Sequence, residues 1–190
     1  VLVDDLLLLA RLDQGRALQL KRVDLEGLVS DACADARVAD PGRAVTGRAL
    51  APLVIDGDEA RLRQVLNNII RNAIVHTPAG TPVEVTLRRD GDDAVIEVAD
   101  HGPGIAPAEA TRIFERFHRS RPDRSRDRGG SGLGLSIATA VVEAHHGQIS
   151  VGPTPGGGAI FMVRLPLHAV TTKVETDSAP ANHGGARPAA

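Results

Sequence analysis

The spacing of apolar residues predicts three amphipathic helices in the first half of the chain. Apolar positions recur every three to four residues over residues 1 to about 14, about 25 to 39 and about 58 to 75, which is the period of a helix with one buried face. Asp24 stands where its side chain would cap the second of these helices. The residues expected on the buried face of the first helix are Leu2, Leu6 and Leu9.

Strand signals dominate the remainder of the chain. Residues 83–87 and 94–99 alternate between apolar and polar side chains, and residues 90–93 between them carry the turn signal of a hairpin. A short helix is expected over 107–117 and another from the glycine-rich stretch at 131–135 to about residue 146, with a glycine cap. The segments expected to be extended are 44–55, 83–87, 94–99, 148–151 and 159–165.

Composition narrows the class of protein. A chain of 190 residues with 42% hydrophobic content fits one domain of ordinary size. The net charge of −2 gives no indication of nucleic-acid binding, and the single Cys33 excludes an internal disulfide. No apolar run approaches the roughly 20 residues of a membrane span. Because the chain starts at Val1 without a signal-peptide pattern, we expect a piece of a longer protein.

Two asparagines mark the third helix as chemically unusual. Asn68 and Asn72 are four residues apart and share one face at the edge of the apolar stripe, and His76 continues the line. An unpaired buried amide costs about 1–3 kcal/mol, so both amides need partners. Either they bond neighbouring backbone, or they line a cleft and offer oxygen to a hydrated Mg²⁺ and its phosphates.

A glycine-rich loop follows the strand at 94–99. Asp100 ends the strand, and Gly102 and Gly104 follow it before Ile105. The glycines can adopt backbone angles closed to other residues and allow a flat ring to approach. An ionised carboxylate accepts hydrogen bonds only, which suits an exocyclic amino group. The loop is therefore either a seat for adenine or a tight turn in which Asp100 caps a helix.

Two further stretches suit phosphate. Residues 118–130 hold five arginines within ten positions and no apolar periodicity, which predicts either a solvated basic loop or a lid that closes on phosphates. The glycine-rich residues 130–135 lead into a helix, whose first N–H groups favour anions. Metal binding at His145 and His146 is not favoured, because no carboxylate or cysteine lies at ligand spacing.

Four stretches in one order resemble the conserved boxes of bacterial sensor histidine kinases of two-component systems. Residues 68–78 are similar to the N box, 100–105 to the G1 box, 114–117 to the F box and 130–135 to the G2 box. The resemblance covers roughly residues 20 to 167. It implies the ATP-binding fold of the GHKL superfamily, the Bergerat fold. That fold is a two-layer α/β sandwich with a mixed, mostly antiparallel sheet covered on one face by helices.

The resemblance also implies roles for individual residues. Asp100 would bind the adenine amino group, Asn72 would ligate Mg²⁺, and Asn68 would contact the metal shell or the phosphates. Arg119 would reach the γ-phosphate, so the catalytic group would be Asn68, Asn72 and Arg119. The residues placed around ATP by the resemblance are Asn68, Asn72, His76, Asp100, Gly102, Gly104, Ile105, Phe117, Arg119, Gly130, Gly132, Leu133 and Gly134.

One departure from the family pattern sets the expected function. None of the seven histidines lies in the context of a phospho-accepting histidine. We therefore expect the catalytic half of a histidine kinase, which uses ATP and Mg²⁺ to phosphorylate a separate dimerisation domain for relay to a response regulator. Residues 1–18 would be the end of the second dimerisation helix and a linker, 19–168 the catalytic domain, and 169–190 a disordered tail.

The resemblance leaves other classes open. A conformational ATPase of the chaperone or mismatch-repair type, a serine kinase acting on anti-sigma antagonists, and a non-catalytic interaction module share this fold. The first commonly uses an acidic residue where this chain has Asn68. The whole protein is expected to be a membrane-bound homodimer with this part in the cytoplasm, and the chain by itself to be soluble and mainly monomeric.

Overall fold

The computed structural model describes residues 2–14, 18–118 and 132–167. The stretch 119–131, which holds most of the proposed lid, and the proposed tail at 169–190 lie outside these ranges. No helix within the described ranges is long and apolar enough to cross a membrane. The elements are α1 (Leu2–Asp13), β1 (Lys21–Asp24), α2 (Leu25–Ala39), β2 (Val45–Ala49), β3 (Val54–Gly57), α3 (Glu59–His76), β4 (Val83–Asp90), β5 (Asp93–Asp100), α4 (Pro107–Ala110), α5 (Gly134–Ala144), β6 (Gln148–Pro153) and β7 (Ala159–Pro166).

A five-stranded sheet forms the centre of the fold. Its strand order is β2-β4-β5-β7-β6, with β2 parallel to β4 and the other pairs antiparallel. Strands β4 and β7 bury every second side chain, so one face of the sheet carries the core, and α2, α3 and α5 contact the sheet. Strands β1 and β3 form a separate antiparallel pair. The predicted α/β sandwich with a mostly antiparallel sheet is confirmed.

The two central helices begin and end where their sequences predict. Asp24 caps α2 by accepting a hydrogen bond from the N–H of Glu26, and Asp58 caps α3 by accepting one from the N–H of Arg61. Such caps satisfy N–H groups that have no partner within the helix. The buried face of α3 consists of Leu62, Val65, Leu66, Ile69, Ile70 and Ala73, which leaves the two asparagines at its edge.

The leucines that helix α1 buries are not all the ones that the sequence predicts. Leu9 is 2% exposed and Leu8 is 8% exposed, whereas Leu6 is 42% exposed. The helix packs against α5, and the run of four leucines allows a face shifted by one residue to be equally apolar. The prediction that Leu6 faces the core is therefore wrong. The assignment of residues 1–18 to a dimerisation helix and linker stays a prediction.

The segment 107–117 is less helical than its prediction. Only Pro107–Ala110 forms an α-helix, and turns follow. Arg112 and Glu115 donate backbone hydrogen bonds to residues three positions back, which is the tighter 3₁₀ pattern. Phe114 packs edge-on against Phe161 with ring centroids 6.3 Å apart, which confirms its predicted role as a core anchor.

Candidate functional site

Asp100 lies buried at the end of β5, with 5% of the residue exposed. Its Oδ1 atom accepts two backbone hydrogen bonds, from Gly102 at 2.9 Å and from Ala159 at 3.2 Å. These N–H groups fix the carboxylate and stabilise its charge. Among the described residues no donor bonds Oδ2. The side chain is thus oriented by the backbone with one acceptor atom left over, which suits recognition of an amino group.

The glycine loop after Asp100 is packed too closely for side chains. A Cβ atom at Gly102 would lie 2.5 Å from the Cγ2 atom of Thr77. Gly104 has a φ of 76°, in the left-handed region, and a Cβ atom there would lie 3.0 Å from the carbonyl oxygen of Gly158. The sequence predicted special backbone angles for both glycines. Left-handed backbone is found at Gly104 but not at Gly102, where close packing excludes a side chain.

The asparagines of α3 connect this helix to the start of α5. Asn68 is half-buried, and its Nδ2 atom donates to the carbonyl oxygen of Gly134 at 3.0 Å. This bond fixes the orientation of the Asn68 amide. Among the described residues, no group donates a hydrogen bond to its oxygen. Asn72 is also half-buried, and no described hydrogen bond engages its amide. The predicted bond to backbone is therefore confirmed for Asn68, whereas an amide oxygen offered to Mg²⁺ or phosphate stays a prediction for both asparagines.

His76, one turn beyond Asn72, is exposed as a whole residue. Burial around its imidazole nevertheless lowers the pKa of His76 below its ordinary value, and the negative charge of Asp100 opposes that shift. A neutral imidazole can donate or accept a hydrogen bond.

The second glycine loop is held against the end of the F box. The N–H of Phe117 donates to the carbonyl oxygen of Gly132 at 3.2 Å, and both residues have positive φ angles, 62° and 74°. Leu133 is fully buried beneath the loop, and α5 begins at Gly134. Among the described residues no side chain caps the N-terminus of α5. Its first N–H groups, together with the helix dipole, suit a phosphate.

Two other predicted residues have less direct roles in the described part of the chain. Ile105 is partly buried and packs against the core, while Phe117 is 58% exposed. Arg119 and Gly130 lie outside the described residues. His145 is structural, because it bonds the backbone of Asp58 and of Val141.

The site suits Mg²⁺ only together with a ligand that brings its own oxygen atoms. Within the described ranges no group of three His, Cys, Asp or Glu residues could hold a metal. The amide of Asn72 offers one hard oxygen ligand, one turn along α3 from the Asn68 amide that bonds Gly134 at the start of α5. Mg²⁺ is commonly bound by one or two protein groups plus phosphates and water. The residues present therefore fit a metal held mainly by a nucleotide.

Two contributors to the site have no clear signal in the sequence. The turn between β6 and β7 reaches the glycine loop after Asp100, because a Cβ atom at Gly158 would overlap the carbonyl oxygen of Asp100. The run of glycines at 156–158 was visible, but its proximity to Asp100 depends on the pairing of β5 with β7. The other is Arg43, which bonds the end of α3. An arginine in a connecting segment carries no period that could have revealed it.

Comparisons with known proteins agree with this geometry. Residues 57–169 match the family described as "Histidine kinase-, DNA gyrase B-, and HSP90-like ATPase". The probable sensor histidine kinase TcrY of Mycobacterium tuberculosis is 49% identical over 167 residues, which are 87% of this chain and 35% of TcrY. SenX3 of Mycobacterium bovis is 40% identical over 168 residues, which are 87% of this chain and 41% of SenX3. The chain thus spans well under half the length of these relatives.

Solved structures give the same result. The mycobacterial sensor histidine kinase MprB superposes with a TM-score of 0.68 and 30% identity, covering 77% of this chain and 97% of that one. Full-length ShkA, in complex with AMPPNP, superposes with a TM-score of 0.73 and 36% identity over 87% of this chain and 35% of ShkA. The chain therefore belongs to the histidine kinase-, DNA gyrase B- and HSP90-like ATPases, and within them it is the ATP-binding domain of a sensor histidine kinase.

Proposed function

We propose that this domain binds Mg-ATP and transfers the γ-phosphate to a histidine on a dimerisation domain, for relay to a response regulator. The observation that carries the proposal is the buried Asp100 carboxylate. It is fixed by two N–H groups, its second oxygen accepts no bond from the described residues, and it lies beside two glycines that tolerate no side chain. That arrangement provides adenine recognition. The asparagines of α3 and the start of α5 provide the neighbouring phosphate site.

Each described residue then has a distinct task. Asp100 accepts a hydrogen bond from the adenine amino group, and Gly102 and Gly104 leave room for the ring. Asn72 holds Mg²⁺, while Asn68 keeps α5 in place through Gly134 and contacts the phosphate end. Bound Mg²⁺ would neutralise charge on the phosphates during transfer. Catalysis of this kind rests on positioning and on charge stabilisation.

Arg119 and the glycine-rich residues of the G2 box complete the proposed site, although Arg119 and Gly130 lie outside the described ranges. Arg119 is proposed to reach the γ-phosphate, because its guanidinium can form two parallel bonds to phosphate oxygens. Gly130, with Gly132, Leu133 and Gly134, is proposed to wrap the triphosphate. Both proposals rest on sequence position, because Arg119 follows the F box directly and the other residues belong to the G2 box.

The partner proposed for phosphotransfer is a helical dimerisation domain. Helix α1 supports this, because it packs on α5 and buries Leu8 and Leu9 while other apolar residues on it stay exposed. A second helix could cover that exposed face. By itself a helix of 12 residues is marginal, so the chain is proposed to be mainly monomeric. The whole kinase is proposed to be a membrane-bound homodimer. Among the described side chains of α1, the large apolar ones that stay exposed are Val3, Leu6 and Leu7.

The test is phosphate transfer between separate polypeptides. The chain is incubated with Mg-ATP labelled at the γ-phosphate, alone and with the dimerisation domain of its parent kinase. Acid-labile label on the partner's histidine, and none on the chain alone, is expected. The rate should be slow, because the link that raises the effective concentration is cut.

Other outcomes identify the competing functions. Acid-labile label on the chain itself would show that one of its own histidines is the acceptor. Acid-stable label would indicate a serine kinase, and release of free phosphate with no labelled protein would indicate a conformational ATPase. Absence of any nucleotide binding would indicate an interaction module.

A further inference from the structure

Arg43, in the segment between α2 and β2, is a buried charged residue with an unusually complete set of partners. It is 6% exposed, and arginine is seldom buried to this degree unless it is paired. Its Nε atom donates to Asp40 at 3.0 Å. The other four hydrogen bonds of the guanidinium all reach the end of α3 and the turn that follows. They run from Nη1 to Thr77 Oγ1 at 2.7 Å and the Thr81 carbonyl at 2.8 Å, and from Nη2 to the carbonyls of Ile74 and Pro78, both at 3.2 Å.

These four bonds fix the conformation of the segment 74–81. The last carbonyls of a helix have no partner within the helix, and Arg43 supplies one for Ile74. It also orients the hydroxyl of Thr77, which in turn donates to the carbonyl of Ala73 at 2.7 Å. The position of the Thr77 side chain is therefore set by two bonds to its oxygen, and its methyl group has little freedom to move.

The Thr77 methyl group packs against residues 100–105, the proposed adenine loop. A Cβ atom at Gly102 would lie 2.5 Å from Thr77 Cγ2, so the two residues are in direct contact. Gly102 in turn donates its N–H to Asp100 Oδ1 at 2.9 Å. A continuous path of bonded or packed groups thus leads from the guanidinium of Arg43 through Thr77 and Gly102 to the carboxylate that recognises adenine.

We propose that Arg43 is a positioning residue for adenine recognition, which it supports by holding Thr77 against Gly102 and so fixing the Asp100 carboxylate. This inference rests on the proposed function, because it assigns the adenine to Asp100. The proposed role of Arg43 involves no contact with the nucleotide. Its effect is limited to the adenine end, and it is the same whether or not Mg²⁺ and a γ-phosphate are present.

A matched arginine separates positioning from general stability. Arg164 of β7 donates three hydrogen bonds, one to Asp90 and two to Asp93. Asp93 and Asp100 lie at opposite ends of β5. Arg164→Lys therefore also loses guanidinium hydrogen bonds, here to carboxylates, at a distance from Asp100. Arg43→Lys keeps the positive charge but replaces the fork of donors by a single ammonium group, which cannot reproduce its geometry.

The experiment measures three quantities for wild type, Arg43→Lys and Arg164→Lys. They are the NMR amide resonance of Gly102 without nucleotide, the Kd for ADP without Mg²⁺, and the free energy of unfolding in urea. In Arg43→Lys the Gly102 amide should shift, and ADP should bind about 2- to 30-fold more weakly, the usual range of indirect coupling through packed side chains. The Kd for Mg-AMPPNP should rise by the same factor. Arg164→Lys should lower stability without changing either the Gly102 resonance or the Kd values.

Thr77→Ser provides a milder second variant that keeps the hydroxyl bonded by Arg43 and removes only the methyl group. It should shift the Gly102 amide and weaken ADP binding in the same direction as Arg43→Lys. An unchanged Gly102 resonance and ADP affinity in both variants would overturn the proposal, as would equal losses of affinity in Arg43→Lys and Arg164→Lys. If wild type binds no nucleotide, the proposed function fails, but the Gly102 resonance still tests the link to Arg43.

Discussion

The proposed adenine end and the proposed phosphate end of the site are built by different means. At the adenine end, Asp100 is buried and held by two backbone N–H groups, and Gly102 and Gly158 are packed so closely that no side chain fits. At the phosphate end, Asn68 and Asn72 are half-buried, and the start of α5 offers backbone N–H groups. Close packing therefore fixes the shape of the site where we propose that the adenine ring binds. Half-buried side chains and helix N–H groups are proposed to act on the phosphates.

The largest effect is expected at the phosphate end, from Asn72→Ala or Asn72→Asp. Loss of the metal ligand removes several kcal/mol of charge stabilisation, so transfer to a separate dimerisation domain should fall by at least about a thousandfold. The measurement is the initial rate of acid-labile labelling. Circular dichroism should remain that of wild type, because the Asn72 amide makes no described hydrogen bond. Wild-type transfer rates in either variant would remove the metal role.

A smaller effect is expected at the adenine end from Asp100→Asn. One charge-assisted hydrogen bond contributes about 1.5–3 kcal/mol, so ATP affinity should fall roughly 10- to 150-fold. The preference for ATP over GTP should fall as well, because the amide can donate where the carboxylate only accepts. Calorimetric titration with both nucleotides tests this. Unchanged ATP affinity would contradict the assignment of the adenine pocket.

Gly102→Ala should have a smaller effect than Asp100→Asn, and one that a second change can reverse. The added methyl group would lie 2.5 Å from Thr77 Cγ2. Overpacking of this kind costs about 1 kcal/mol or more, so nucleotide affinity should fall about fivefold or more. Adding Thr77→Ser removes the opposing methyl group and should restore most of the affinity. If the double variant binds no better than Gly102→Ala alone, the two groups do not compete for the same space.

The smallest effect is expected on the pH dependence of stability, from His145, which belongs to neither end of the site. His145 donates from Nδ1 to the carbonyl of Val141 and accepts the N–H of Asp58 at Nε2, which requires a neutral ring. Burial lowers the pKa of His145, the bond to Val141 and the charge of Asp58 oppose the shift, and His146 adds to it. Its pKa in the folded state thus lies below that of the unfolded chain, about 6.5.

The sign of the pH dependence follows from that difference. The unfolded state binds the proton more readily, so the stabilisation is complete above about pH 6.5 and declines as the pH falls towards the folded-state pKa. His76, whose pKa is also lowered, acts in the same direction. Urea unfolding of wild type and His145→Gln should therefore show a shallower loss of stability on acidification in the variant. Identical pH slopes would contradict this role of His145.

The regions that the sequence predicted well are those with a strong local signal. The bounds of α2 and α3 follow from their apolar period and, for α2, from the cap at Asp24, and the hairpin of β4 and β5 follows from its turn. The candidate residues Asn68, Asp100 and Gly104 were found because their chemistry is unusual for their positions. The order of the four boxes along the chain then indicated one nucleotide site.

The regions that the sequence predicted poorly depend on contacts between distant segments. Strand β1 is four residues long and is defined by its pairing with β3, so it has no pattern of its own. The leucine run of α1 is apolar in several directions, and only packing on α5 decides which leucines are buried. The roles of Arg43 and Gly158 likewise arise from bonds and packing across the fold.

The difference between the two ends of the site is tested most directly by titrating variants of each end with two nucleotides, one with Mg²⁺ and one without. The Kd values for ADP without Mg²⁺ and for AMPPNP with Mg²⁺ are measured in wild type, Asp100→Asn and Asn72→Ala. Asp100→Asn should weaken both ligands by the same factor, because both contain adenine. Asn72→Ala should weaken only the Mg²⁺ complex and leave ADP binding at the wild-type value. Equal losses for both ligands in Asn72→Ala, or a loss confined to the Mg²⁺ complex in Asp100→Asn, would contradict the separation of adenine recognition from phosphate chemistry.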